Sequence, residues 1–334
     1  MYKTNPGKMK NIAILYGGDS SEFVISERSS KQIISELKSY SYNLYMIRIQ
    51  GNSWTCKDEK ENEFPVDLND FSIRLNDNKK INFDFAFIII HGTPGEDGKL
   101  QGYLDMQAVP YNTPGVFVNA LTFNKYACKL FLKNFDILTP EAVLYKKGQK
   151  IHEDEILKKT GLPCFIKPNN GGSSFGTSKV MNKDQVKPAI KEALKEDKEV
   201  IIESFVKGTE LSCGLLKTKK EDFIFPVTEI VSKNEFFDFE AKYTVGMADE
   251  IVPARVSEEI QKKCQELSSF IYDVTGCKGL IRVDYILKGN QFFFLELNTV
   301  PGMSRESIVP KMIRAANYTE REILRKIIEN EKDA

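Results

Sequence analysis

Two short runs near the C-terminus, Gly279-Leu280-Ile281-Arg282-Val283-Asp284-Tyr285 and Phe294-Leu295-Glu296-Leu297-Asn298-Thr299, set two carboxylates, an amide and an arginine into segments that otherwise read as core. From Ile281 to Ile286, Arg282 and Asp284 alternate with apolar neighbours, the period of two expected of a half-buried strand. The run from Phe292 to Leu297 predicts a partner strand, with Glu296 and Asn298 on one face and Leu295 and Leu297 on the other. Hard oxygen donors on neighbouring strands suit a nucleotide-bound magnesium, because Mg²⁺ takes one or two carboxylates together with substrate phosphates. A solvated face closed by an Arg–Asp pair would show the same alternation. The two readings are separated only by what stands upstream.

The chain has 334 residues, enough for two or three domains. Its 47 basic and 47 acidic residues cancel, so no global field favours nucleic acid or anionic lipid. The six cysteines are scattered without a Cys-x-x-Cys pair, which predicts reduced thiols rather than a disulfide frame or a zinc site. No signal peptide is visible, and the longest apolar run, Phe85 to Ile90, is far too short to span a bilayer. These features predict a cytoplasmic protein with neither nucleic-acid nor membrane partners.

Along the chain, a strand from Asn11 to Tyr16 enters the turn Gly17-Gly18-Asp19-Ser20-Ser21-Glu22. A helix is predicted from Val24 to Lys38, with Ser20 or Ser21 as its cap. Strands follow at Asn43 to Gln50 and Phe83 to Ile90, the latter ending at His91-Gly92. This is the grammar of a parallel α/β sheet, which binds ligands at the C-terminal ends of its strands. Further on, Cys164 to Lys167 leads into the loop Pro168-Asn169-Asn170-Gly171-Gly172-Ser173-Ser174-Phe175-Gly176. Successive backbone N–H groups in such a loop can cradle phosphate, with the Lys167 ammonium as a point charge. Neither a P-loop nor a dinucleotide fingerprint is present. The Lys/Glu alternation from Asp184 to Glu196 predicts a solvated helix. Glu203 ends an apolar strand, and Glu210 follows beyond a glycine. Both could serve a nucleotide or simply be surface carboxylates.

Taken in order, these segments resemble the ATP-grasp superfamily and, within it, the D-alanine–D-alanine ligase family, from about Asn11 to Ala316. The resemblance is carried by Gly17-Gly18 through Glu22, His91-Gly92 with Gly95-Glu96-Asp97-Gly98, Asn124-Lys125, Ile166-Lys167-Pro168 with Gly172 to Gly176, Glu240-Ala241-Lys242-Tyr243, Arg282-Val283-Asp284, and Glu296 through Met303. It implies a mixed α/β and α+β fold of three domains. These are an N-terminal parallel α/β domain over residues 1–120, a central domain over 121–206 and a C-terminal domain over 207–334, with ATP between the last two.

The implied reaction joins two D-alanines for peptidoglycan synthesis through an acyl phosphate, using ATP and two Mg²⁺ or Mn²⁺ ions. Residues implied for ATP are Lys125, Lys167, Lys242, Ser173, Ser174, Glu203 with Ser204, Phe205 and Val206 at the adenine edge, and Glu210 at the ribose. Asp284, Glu296 and Asn298 are implied for the metals. Glu22 is implied for the ammonium and His91 for the carboxylate of the first D-alanine, Arg282 and the Gly302 N–H for the oxyanion, and Ser307 and Ile308 for the second carboxylate. Tyr243, with Ser173 and Glu22, is implied to link a lid, roughly Phe239 to Glu250, to the site. Its presence favours the dipeptide over a D-lactate ester. The family also implies a homodimer. Alternatives are a ligase for D-lactate or D-serine and a non-catalytic nucleotide-binding module. Two departures stand out: Phe23 where a histidine is frequent, and Thr93-Pro94 where arginine and glycine are common.

Overall fold

The computed structural model describes residues 9–20, 22–58, 62–76, 78–172, 174–232 and 248–330. Ser173, Lys242 and Tyr243, with most of the expected lid, lie outside them. Three sheets organise the chain. The first contains Lys10–Gly17 (β1), Tyr42–Gln50 (β2), Ser53–Lys57 (β3), Glu63–Asp67 (β4), Ser72–Arg74 (β5), Lys80–Asn82 (β6) and Phe85–Ile88 (β7), in the order β6-β5-β4-β3-β2-β1-β7. β1 is parallel to β2 and to β7, as the strand–turn–helix grammar predicts. Beyond β2, an antiparallel meander extends the sheet, so it is mixed rather than purely parallel. The apolar residues of β1 are buried throughout, as a central strand covered on both faces requires.

Helix Phe23–Leu37 lies against β1, and its inward face includes buried Ser26, Ser29 and Ser30 as well as Ile33 and Leu37. Its cap position is Glu22, not Ser20 or Ser21, and no side chain caps it. Ser20 Oγ donates instead to the His91 carbonyl at 2.8 Å, tying the first glycine turn to the second.

The second sheet contains Ala142–Lys146 (β8), Cys164–Pro168 (β9), Ser178–Val180 (β10) and Glu199–Ser204 (β11), antiparallel in the order β10-β9-β11-β8. Helix Val186–Ala193 packs on it through Val186, Ala189, Ile190 and Ala193, so only its other face is solvated.

The third sheet runs β15-β14-β12-β16-β17, with β13 beside β12. Its strands are Thr209–Lys217 (β12), Asp222–Ile224 (β13), Thr228–Ser232 (β14), Ala248–Ile251 (β15), Gly279–Lys288 (β16) and Gln291–Asn298 (β17). Helix Glu258–Thr275, capped by Ser257 Oγ and ended by left-handed Gly276, covers one face. Helices Ile308–Ala315 and Glu320–Asn330 join the third sheet to the first. Met312, Ile313, Ile323 and Ile327 share one core with Ile12, Ile14 and Ile33 of the first sheet and its helix, and with Leu216 and Phe225 of the third. All six cysteines are free thiols and buried.

Candidate active site

Pairing of β16 with β17 sets Asp284 opposite Glu296 and Arg282 opposite Asn298. The register slips between Asp284 and Tyr285, which makes Leu295 an extra residue, a β-bulge. On one side of the slip Phe292 and Phe294 are buried, and on the other Leu297 is. The strict alternation expected from sequence therefore breaks at Leu295, which lines the same cavity as Glu296 instead of facing the core with Leu297.

Asp284 is held from three directions. Arg282 donates to it through Nε (2.8 Å) and Nη2 (2.7 Å), Ser212 Oγ through a 2.6 Å bond, and Asn298 Nδ2 through a 2.9 Å bond. Arg282 is thus bound to Asp284, the Arg–Asp pair that the alternation allowed, whereas the family resemblance implied separate steps for the two. The described residues hold no cluster of three acidic, histidine or cysteine side chains able to bind a metal. Two carboxylates and an amide oxygen are nonetheless the hard donors that Mg²⁺ takes when phosphates complete its shell, so the residues fit that ion.

The lysines come from a helix and a strand. Asn124 Oδ1 caps helix Lys125–Lys133 by accepting from the Ala127 N–H. The start of this helix docks on the loop after β9, with Lys125 N–H donating to the Asn169 carbonyl and Tyr126 N–H to Asn169 Oδ1. Lys125 Nζ donates to the Gly171 carbonyl and lies 3.5 Å from Glu296. Lys167 Nζ, at the end of β9, is 2.7 Å from Glu203 of β11. Glu203 also pairs at 3.0 Å with Lys129, a residue the sequence reading missed.

Burial opposes the charge of Glu203, yet Lys129 and Lys167 outweigh it and bring the pKa down to about 2. Burial likewise opposes the charge of Lys167, but Glu203 and Glu296 push its pKa above the ordinary lysine value. Lys129 goes the other way, since burial prevails over Glu203 and lowers its pKa. The Glu203 carboxylate expected near adenine is therefore engaged by two ammonium groups.

These side chains wall a cavity of about 490 Å³ between the second and third sheets, within the usual size of a ligand pocket. Lys125, Lys167, Ser174, Glu203, Ser204, Phe205, Val206, Glu210, Arg282, Asp284, Glu296 and Ile308 all line it. At its apolar end the Phe165 and Phe205 rings are 5.9 Å apart, with Lys179 5.1 Å above Phe205.

A second cavity of about 330 Å³ adjoins the glycine loop and is lined by Ser20, Glu22, Gly92, Gly171 and Gly172. Glu22 is buried and so close to Gly172 that a Cβ there would meet its carboxylate oxygens at 2.8 and 3.0 Å. His91 is 7% exposed, and its Nε2 has no hydrogen-bond partner among the described residues. His91 lines neither cavity, but an orphaned buried polar atom is what a ligand would satisfy. Burial lowers the His91 pKa, while Glu22 raises it and Arg282 lowers it, so both charges reach this imidazole. Glu96 was quoted only as part of a motif. Its Oε2 accepts the Gly92 N–H at 2.7 Å, and burial, reinforced by Glu22, lifts its pKa to about 8.

Gly302 and Ser307 are brought together, since a Cβ on Gly302 would lie 2.9 Å from Ser307 Oγ. Ser307 stands at the cap of helix Ile308–Ala315, bonded to Ser304 Oγ at 2.7 Å. The next N–H, that of Met303, donates to Ser29 Oγ at 3.1 Å. Phe23, the departure near Glu22, lies under the Arg48 guanidinium, 5.0 Å from the ring centre.

Two family models, D-ala D-ala ligase N-terminus and D-ala D-ala ligase C-terminus, match residues 11–114 and 130–329. The D-alanine–D-alanine ligase of Bacteroides fragilis is 49% identical over 322 residues, covering 96% of this chain and 99% of that protein. The chain belongs to the D-alanine–D-alanine ligase family.

Among solved structures, the VanG D-Ala:D-Ser ligase of Enterococcus faecalis superposes with a TM-score of 0.84 at 29% identity, over 96% of this chain and 99% of that one. The D-alanine–D-alanine ligase of Bacillus anthracis complexed with ATP gives 0.77 at 29% identity, over 97% of each. The ATP-grasp fold expected from the sequence is the fold of these ligases. As a member of the D-alanine–D-alanine ligase family, the chain also shows where sequence patterns stop. Lys129 and Ser212 were invisible because each meets its partner across a long stretch of chain, 166 residues to Leu295 and 72 to Asp284. The only local signal for Lys129 was its spacing of four from Lys125, which puts both on one helix face.

Proposed function

We propose that this protein joins two molecules of D-alanine at the expense of ATP, supplying a dipeptide for peptidoglycan precursors. The observation that carries the reading is the adjacency of the two cavities across one glycine loop. Gly171 and Gly172 belong to both. A nucleotide in the larger cavity would present its terminal phosphate to an amino acid held beside Glu22. The first D-alanine carboxylate attacks that phosphate to give an acyl phosphate and ADP. The amine of the second then displaces phosphate through a tetrahedral intermediate.

Bringing two anions together requires charge neutralisation more than covalent help. Lys125 and Lys167, both lining the larger cavity, would supply it, with Ser174 following the phosphates. Asp284, Glu296 and the Asn298 amide oxygen would hold two Mg²⁺ ions, which when bound neutralise phosphate charge. The apolar Phe205 end suits adenine, with Ser204 and Val206 beside it and Glu210 toward the ribose. Glu22 would pair with the first ammonium, and His91 Nε2, without a partner among the described residues, would serve its carboxylate. Gly302 offers its N–H to the oxyanion. Arg282, bonded to Asp284 in this structure, is the second donor assigned to that oxyanion. Ser307 and Ile308, at a helix N-terminus, suit the second carboxylate. Ser173, Lys242 and Tyr243 are assigned to the closing loops from the family resemblance. We also assign domain limits of 1–120, 121–206 and 207–334, a cytoplasmic location and a homodimer. No helix among the described residues is long and apolar enough to cross a membrane. Sedimentation would check the dimer.

The deciding assay is phosphate release with D-alanine and Mg-ATP, coupled to product analysis. D-Alanyl-D-alanine is the expected product, and its absence sinks the reading. A second reading, ligation of D-alanine to D-serine, is favoured by the VanG likeness. Competition between D-alanine and D-serine as acceptors separates the two.

A further inference from the structure

Lys129 is a charged side chain only 2% exposed, deep in the protein. Its ammonium donates to two consecutive carbonyls of β17, Phe294 (3.1 Å) and Leu295 (2.7 Å). It also stands 3.0 Å from Glu203, an ion pair rather than a well-aligned hydrogen bond, and 5.5 Å from the Phe294 ring centre. Stability alone does not explain this choice. Buried ion pairs recover their desolvation cost poorly, and an apolar replacement often does as well or better.

The two carbonyls give the reason, because they flank the bulge. An extra residue interrupts the ladder and leaves backbone groups without strand partners. β17 is the edge of its sheet, so the Phe294 N–H faces outward and donates to the Leu138 carbonyl at 2.8 Å; the bulge adds a second outward carbonyl, and those of Phe294 and Leu295 both meet Lys129. The next side chain after these carbonyls is Glu296. Without the bulge, the alternation that buries Phe292 and Phe294 would send Glu296 into the core as well.

We infer that Lys129 is a positioning residue for the metal site: its ammonium holds the Leu295 bulge in the shape that turns Glu296 toward the cavity. This rests on the proposed assignment of Glu296 as a metal ligand. Through Glu203 the same ammonium sits one residue away from Lys167, so one carboxylate links helix, bulge and Lys167.

The test titrates Mn²⁺ into the full-length protein with the β,γ-imido analogue of ATP, reading the protein–metal–nucleotide complex by electron paramagnetic resonance. Lys129→Met should weaken Mn²⁺ binding by roughly tenfold or more, as loss of a group that orients a ligand does. Lys129→Met combined with Glu203→Gln avoids a half-paired carboxylate, and Lys129→Arg keeps the charge while moving its donors off the two carbonyls. Both should fold and show the same weakening. Mn²⁺ affinity at the wild-type level in either folded variant overturns the inference. Wild-type protein that binds the Mn²⁺–nucleotide complex yet makes no dipeptide would sink the ligase reading and leave this inference standing.

Discussion

At the residue scale, the chemistry gathers on a few buried charges whose surroundings set their state. Glu296→Ala should cut turnover by roughly a hundredfold or more, since the metal that we propose it holds would contribute several kcal/mol of transition-state charge stabilisation. An unchanged kcat in the coupled phosphate assay would refute the metal assignment. Glu96 offers a pH test. Its folded pKa is raised from 4.5 to about 8, so the native state binds more protons than the unfolded chain between those values. The contribution of Glu96 to stability is then fully present below 4.5 and declines as the pH climbs toward 8. Glu96→Gln, which can still accept the Gly92 N–H, should flatten that decline in melting temperature; an equal slope in both proteins contradicts it. The alternation of Arg282 and Asp284 was legible in the sequence because their spacing is local. So was an Arg–Asp pair, but its further bonds to Ser212 and Asn298 were not, since those partners depend on what else the fold brings near.

At the scale of elements, the site depends on close approaches between loops from different sheets. Gly172 touches the Glu22 carboxylate so closely that Gly172→Ala should raise the KM for D-alanine several-fold while leaving nucleotide affinity nearly unchanged. Parallel loss of both would show that the loop itself had collapsed. Hydrophobic runs and glycine turns marked β1, β2 and β7, and with them the positions of Glu22 and His91. The meander from β3 to β6 went unread because its strands are short and polar on the outside, as β4 shows with Glu63, Pro65 and Asp67 exposed. The bulge at Leu295 was unreadable for another reason. One inserted residue changes the face of everything after it, and no composition signal marks the insertion. Helix Val186–Ala193 was misjudged because the charges of the wider Asp184 to Glu196 segment drew attention from the small apolar stripe of Val186, Ala189, Ile190 and Ala193.

At the scale of the whole molecule, the larger cavity is walled by two sheets with largely separate cores, one behind each. A ligand there is a shared contact for both. Saturation with Mg²⁺ and the imido analogue at about a hundred times Kd should stabilise the fold by about 2.7 kcal/mol, seen as a rise in melting temperature. No rise would mean that the cavity is not the nucleotide site. The six buried thiols have a consequence at this scale too. Burial pushes Cys56, Cys128 and Cys277 up to about 12, so little thiolate exists at neutral pH in the native state. Cys56 belongs to the first sheet, Cys164 to the second and Cys213 to the third. Each sheet therefore carries its own silent clock. Brief exposure to an alkylating reagent, followed by peptide mass analysis, would record which part of the protein breathes first and which parts nucleotide keeps shut.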